Sequence, residues 1–420
     1  MRMICLTENY ICSFNEITLV IFSREEMKLA SPFPVPGEAR TTIDLVRRRL
    51  VQGTAAAFVG ATAREATAAA PERIDTAARL FLSGAHAPGV SVAVMHAGRF
   101  LFAKGYGSAN LETGTPVTPQ TVFRAGSITK MFTASAIMRL VERGKVRLDD
   151  QVSKFVPELV KADPATVQML LNHTSGLHPY TDEQFGREAR FAHTPQQMVD
   201  YIAAQARLLD FPPGTAYAYS NTNFYIAGVI VARVSGQPLG EFLAANVIAP
   251  AGLAATALDH EQDVVPHRAS GYVSAPRAPG GYRNADFISM DPPGGAGQLR
   301  STASDLVRFH QALFAGRVVS AASLAAMTTP GRLADGQLSI REDAPLSQTK
   351  PGYGFGLELG SLDGEPTVGH GGAIPGFTAY LVTFPRRHLS VATMINGDPT
   401  AGEPFIDVER AALHRFATAT

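Results

Sequence analysis

A serine and a lysine three residues apart, Ser127 and Lys130, fall in the stretch Phe123-Arg124-Ala125-Gly126-Ser127-Ile128-Thr129-Lys130. Residues 128–141 contain neither Pro nor Gly. Ile128, Met131, Phe132, Ile137, Met138, Leu140 and Val141 cover nearly every side of a helical spiral, so the spacing predicts a buried helix. Arg143 and Gly144 supply a cation for its last turn and a left-handed stop. Ser127 then stands at or beside the helix start, and Lys130 lies over the same face. The pair makes a nucleophile and a base, and the positive helix end favours a neutral amine and an alkoxide. The same two residues would also serve as a capping serine and a snorkelling lysine, and S-x-x-K alone is a weak motif. A second copy, Ser347-Gln348-Thr349-Lys350, is bracketed by Pro345 and by Pro351-Gly352. No helix runs on from there, which predicts a surface loop.

Two other stretches carry groups that would complete such a site. Tyr219 and Asn221 lie two apart in Tyr217-Ala218-Tyr219-Ser220-Asn221-Thr222-Asn223, just before a helical pattern that ends at Ser235-Gly236. A tyrosine beside the lysine would carry a proton from serine to leaving group, and an asparagine would hold the lysine and a substrate amide. Taken alone, the pair is better read as a packed tyrosine and a helix cap at Asn221 or Thr222. Tyr282-Arg283-Asn284 repeats the spacing with no helix after it. In Gly369-His370-Gly371-Gly372-Ala373, the glycines leave room for a substrate against a strand edge. A backbone N–H near Ala373, with that of Ser127, would form an oxyanion hole. His370 would donate toward substrate or Tyr219, or be an ordinary satisfied turn residue.

The elements that must position these groups are predicted as follows. A helix covers 72–83, and Val90 to Met95 with Arg99 to Ala103 reads as a β-hairpin. Short helices follow at 165–171, 195–208, 222–235 and 239–247, then one from Ser304 to Phe314. Residues 261–298 and 328–352 read as loop. Strands run from Tyr353 to Leu359, Thr367 to Gly369, Thr378 to Phe384 and Leu389 to Ile395. Phe405, Val408, Ala412 and Phe416 suggest a closing helix. Strands at both ends with helices between them predict an α+β fold: an antiparallel sheet built from both chain ends, flanked by helices, with a helical lobe at about 145–300 inserted. The active site is expected in the cleft between lobe and sheet.

The 420 residues, 45% hydrophobic, suffice for a large core. Zero formal net charge offers no nucleic-acid footprint, and no apolar run approaches a membrane span. Cys5 and Cys12 are the only cysteines, so the body has no disulfide and no thiolate metal site. No metal and no cofactor is expected, and the partner is a small-molecule or peptide substrate. Residues 1–70 read as a leader and 71–420 as one domain. Arg47-Arg48-Arg49, a mildly apolar Gly53–Ala61 stretch and Ala66-Thr67-Ala68 have the order of a secretion signal with a twin-arginine flavour. Export to periplasm or medium follows if that segment is a signal, and a cytoplasmic location if it is a surface helix.

In this order the three elements resemble the serine β-lactamase and penicillin-binding-protein superfamily, whose marks are S-x-x-K, a second motif from the helical lobe and K-T-G on a strand. Tyr-x-Asn and His-Gly-Gly as second and third motifs are similar to the class C β-lactamase-like branch, which includes DD-peptidases, D-aminopeptidases and esterases. Leu171-Asn172-His173-Thr174-Ser175-Gly176-Leu177 and Tyr219 to Gly228 read the same way, and the likeness covers about residues 72–418. The resemblance implies Ser127 as acylated nucleophile, Lys130 as base partner and Tyr219 as proton shuttle. It implies Asn221 as a positioner of lysine and substrate, with His370, Gly371, Gly372 and Ala373 on the substrate side. A histidine where the family has a permanently charged lysine weakens the case for penicillin and leaves esters, D-amino-acid amides and small peptides open.

The implied activity is hydrolysis of an ester or amide (β-lactam, D-amino-acid peptide or small ester) through an acyl-serine. The alternative is a non-turnover penicillin-binding or sensor protein of the same fold. An α/β-hydrolase would need G-x-S-x-G, which is absent, and none of the eleven histidines forms H-E-x-x-H. The leader reading predicts that the natively expressed chain begins beyond Ala68. N-terminal sequencing checks this, and a mature chain starting at Met1 overturns it.

Overall fold

Alternation in Val90-Ser91-Val92-Ala93-Val94-Met95 sends successive side chains to opposite faces of a strand, and here both faces are buried. Val92 and Val94 pack with Ile74, Ala78, Phe81, Phe405, Val408 and Ala412, while Ala93 and Met95 join Phe132, Ile137 and Phe309. A sheet covered on both sides follows, with the chain-end helices on one face and the helical lobe on the other. The structure, a computed structural model, describes residues 72–83, 87–181, 185–339, 352–398 and 404–416.

Among these, the strands in chain order are β1 (Gly89–His96), β2 (Arg99–Asn110), β3 (Thr115–Pro116), β4 (Phe123–Arg124), β5 (Ala257–Leu258), β6 (Tyr272–Ser274) and β7 (Tyr282–Asn284). They continue with β8 (Leu299–Ser301), β9 (Gly352–Tyr353), β10 (Glu358–Leu362), β11 (Glu365–Ile374), β12 (Phe377–Phe384) and β13 (Leu389–Ile395). Eight pair antiparallel in the order β3-β2-β1-β13-β12-β11-β10-β9. The first and last long strands are therefore neighbours, with Ala93 opposite Ala392. Strands β4, β8 and β5 form a small second sheet, and β6 and β7 a third. The α+β architecture inferred from the sequence is the one observed.

The helix Thr129–Glu142 lies on the lobe-facing side, and Phe132 stacks on Phe309 of the helix Ala303–Phe314 at a centroid separation of 3.9 Å. The helices Asn221–Ser235 and Pro404–Phe416 also sit where sequence spacing put them.

Several boundaries differ from expectation. The 195–208 helix stops at Ala203, and the 239–247 pattern is the helix Leu239–Leu243 running into a widened turn, Ala244–Ile248. The helix Ala321–Met327 was not anticipated. The single strand expected from Tyr353 to Leu359 is split into β9 and β10. Gly354 N–H bonds back to Leu357 O, and Gly356 has φ +67°. The strand expected to stop at Gly369 continues to Ile374, because His370, Gly371 and Gly372 keep pairing with Leu381, Tyr380 and Ala379. The region 261–298, read as loop, contains β6, β7 and a helical turn at Gly294–Gly297. The leader at 1–70 and the second S-x-x-K at 347–350 lie outside the described residues.

His310 joins helix to sheet. Its Nδ1 is 2.8 Å from Thr383 Oγ1 and its Nε2 is 3.1 Å from Met131 Sδ, with the ring fully buried. Burial, with a smaller contribution from His370, pushes its pKa down to about 3. The unfolded chain takes up a proton near the ordinary histidine value of about 6.5 while the folded chain refuses it. Stability supplied by the neutral ring is therefore complete above about 6.5 and is lost as pH falls from there toward about 3. Urea unfolding across that range is expected to show this decline, flattened in His310→Gln.

Candidate active site

Gly126 opens the site. Its φ of +54° is left-handed, and a side chain there would meet the Ala373 backbone at 2.8 Å. The chain then makes one tight turn, Gly126–Ile128, that runs directly into the helix Thr129–Glu142. Thr129 fixes that junction. Its hydroxyl donates to Gly126 O at 2.7 Å and accepts from Leu299 N–H at 2.9 Å, while Ala125 N–H donates to Leu299 O at 2.8 Å. Strand β8 thus holds the serine turn from one side and β11 from the other. Ser127 does not cap the helix. It is half-buried, and its Oγ is 2.9 Å from Lys130 Nζ.

Lys130 is fully buried. Its Nζ is 2.8 Å from Asn221 Oδ1 and 2.8 Å from Ala296 O. Both partners are pure acceptors, so each takes one N–H. A neutral amine has two hydrogens, and these two carbonyls use both. In that form its lone pair can turn to the Ser127 hydroxyl 2.9 Å away. The arrangement is that of a base aimed at a nucleophile. The Tyr219 ring completes it, with its centroid 4.8 Å from Nζ.

Asn221 begins the helix Asn221–Ser235, but Ser220 stands at the cap position and makes no side-chain cap bond. The capping alternative for Asn221 is thereby replaced by the lysine contact. Thr222 does not cap either: its hydroxyl donates to His178 O at 2.6 Å and accepts from Tyr180 N–H at 2.9 Å. His173, at φ +60°, braces the tyrosine loop from below. Its Nδ1 accepts from Ser220 N–H at 3.2 Å and lies 3.0 Å from Asn223 Nδ2, while Ala218 N–H donates to His173 O at 3.1 Å. Its ring lies 4.4 Å from that of Tyr219.

On β11, Gly372 packs against the serine turn. A methyl group there would fall 2.1 Å from Ala125 O and 2.9 Å from Ser127 N. Pairing with β10 stops at Gly369, and among the described residues no strand pairs with residues 370–374 on that side. Ala373 lines the crevice together with Ser127 and Asn221. His370 does not line it. The imidazole is 1% exposed, 2.8 Å from Tyr353 OH through Nε2 and in contact with Gly371 O through Nδ1, with its ring 6.1 Å from that of Tyr219. It therefore supports the tyrosine loop and strand rather than offering a surface charge. Gly371 packs on the Tyr380 ring.

The crevice has a volume of about 410 Å³. Tyr180 forms part of its wall. Burial holds this phenol well above the ordinary tyrosine value, so it stays protonated and donates to Pro292 O at 2.7 Å. Among the described residues no cluster of His, Cys, Asp and Glu is arranged to hold a metal ion, and no helix is long and apolar enough to cross a membrane.

Sequence reasoning brought together Ser127, Lys130, Tyr219 and Asn221, and the structure does the same. It missed Ala296, Thr129 and Tyr353. The first acts through its carbonyl, which leaves no mark on residue type.

Comparison with known proteins agrees with this geometry. The chain is 30% identical over 337 residues to a D-aminopeptidase of Gluconobacter oxydans, covering 78% of this chain but 59% of that protein's length. It is 31% identical to penicillin-binding protein 4 of Amycolatopsis lactamdurans, covering 79% of this chain and 86% of the relative. The crystal structure of D-amino acid amidase from Ochrobactrum anthropi SV3 superposes with a TM-score of 0.69 at 27% identity, over 81% of this chain and 99% of that one. The beta-lactamase family model matches residues 66–416, and the chain belongs to that family.

Proposed function

We propose that this protein hydrolyses an ester or amide through an acyl-serine intermediate, acting on D-amino-acid peptides or amides or on small esters. One observation carries the reading: the buried Lys130 amine stands between two carbonyl acceptors and a serine hydroxyl. In this scheme Ser127 Oγ attacks the substrate carbonyl carbon as its proton passes to Nζ. The tetrahedral oxyanion rests on the Ser127 N–H and a backbone N–H near Ala373. The ammonium now at Lys130 is stabilised by the Tyr219 ring and the two carbonyls. Tyr219 relays a proton to the leaving group as the carbon–heteroatom bond breaks. Water, activated by the same amine–phenol pair, then cleaves the acyl-serine and restores the hydroxyl.

The names of the D-aminopeptidase and D-amino acid amidase relatives support the D-amino-acid choice. The buried state of His370 supports it further, since at that position of β11 the family's lysine is replaced by a group that does not face the crevice. The arginine-flanked segment ending at Ala68 supports export to the periplasm or medium.

Ser127→Ala is expected to lower kcat by roughly four or more orders of magnitude, and Lys130→Met by a similar factor, because the groups act as one unit. Turnover of a nitrophenyl ester and a D-alanyl amide, with mass spectrometry of the Ser127 adduct, checks this. Undiminished hydrolysis by Ser127→Ala removes the proposal, and an adduct with no turnover converts it to a penicillin-binding or sensor role. Gly372→Ala is expected to displace the serine turn and lower kcat by about a hundredfold, measured on the same substrates.

A further inference from the structure

The wall of the crevice carries two charged side chains, Arg190 and Asp286. They are not equivalent. Asp286 Oδ1 is 3.2 Å from Arg283 NH1, so its charge already has a partner. Arg190 has no ion pair or hydrogen bond to its side chain among the described residues. Glu188, two residues before it, is 3.9 Å from His193 Nε2. Yet the backbone beside Arg190 is anchored, since Ser289 N–H donates to Ala189 O at 2.8 Å and Phe191 N–H donates to Glu188 O at 3.0 Å. The other cations near the chemistry are spent. Lys130 is buried among three partners, and His370 lies outside the crevice. Among the described residues, the uncompensated charge of this crevice is therefore the Arg190 guanidinium, on a wall that also includes Phe287 and Ile288.

We propose that Arg190 makes this site selective for substrates that carry a carboxylate on the portion lying in the crevice, with apolar bulk against Phe287 and Ile288. A guanidinium fork matches a carboxylate with two parallel N–H donors, which an ammonium or an uncharged amide does not repay. This rests on the acyl-serine reading and deepens it. The carboxylate belongs either to the acyl group or to the leaving group, and the two sources separate by assay.

Two matched pairs are compared on the purified full chain. One pair is the nitrophenyl ester of glutaric half-acid against that of pentanoic acid. The other is a D-alanyl-D-alanine peptide with a free carboxyl terminus against its terminal amide. In Arg190→Gln the charged-to-uncharged ratio of kcat/KM is expected to fall about tenfold in one pair, chiefly through KM. Arg190→Lys is expected to restore part of it, and 1 M salt to shrink the difference, because an exposed charge is screened. A fall in the ester pair places the carboxylate on the acyl side, and a fall in the peptide pair places it on the leaving side. An unchanged ratio in both pairs overturns the inference, as does an equal loss for charged and uncharged members. Ser127→Ala run in parallel keeps the two ideas apart. Turnover surviving in that variant sinks the acyl-serine reading itself, whereas its abolition with an unmoved Arg190→Gln ratio sinks the selectivity alone.

Discussion

An amine without water around it must find acceptors in the protein, and Lys130 finds them in Asn221 Oδ1 and Ala296 O. Much of the molecule exists to bring those two oxygens to one point. Asn221 comes from the start of a lobe helix and Ala296 from the helical turn Gly294–Gly297. The lysine itself comes from a helix packed against the sheet. Thr133 ties the same turn to the same helix by donating to Gly295 O at 2.8 Å. Three segments far apart in sequence thus share one nitrogen. Any shift between lobe and sheet is felt as a lost hydrogen bond on a buried group, which costs about 1–3 kcal/mol each.

The glycines follow from the same constraint. Gly372 lets the serine turn rest against β11, and Gly126 lets the turn bend back toward Ala373. Gly295 has no side chain because a Cβ would fall 2.5 Å from Phe224 O. Close backbone approach on both sides of Ser127 is what places its N–H beside β11. Burial of His370 belongs to this scheme too. With Tyr353 it fills the space behind the tyrosine loop, and the aromatic contacts among Tyr219, His173 and Tyr353 hold that loop over the amine.

Much of this was readable in advance, for a physical reason. The helix after Ser127 is apolar on nearly every side, the central strands are buried on both faces, and the first two motifs sit where a helix starts. Such signals are local. What escaped is not local. Ala296 contributes a carbonyl that every residue owns, so composition cannot mark it. The turn that splits β9 from β10 is also held from outside, where Phe355 N–H donates to Met327 O at 3.0 Å, a partner 28 residues away in the chain. The extension of β11 through His370 depends on its partner β12, which overrides the weak strand preference of consecutive glycines. His370 itself was expected at the substrate. Its residue type says nothing about which side of the strand has Tyr353 behind it.

The pairing of β1 with β13 has an outcome during synthesis. The central seam of the sheet joins Val90–His96 to Leu389–Ile395, so roughly three hundred residues must leave the ribosome before β1 gains its second neighbour. Until then the valines of β1 have neither that strand nor the closing helix to cover them. The nascent chain carries an unfinished, adhesive edge for most of its translation. Completion of the sheet therefore waits on the end of translation rather than on the early hairpin.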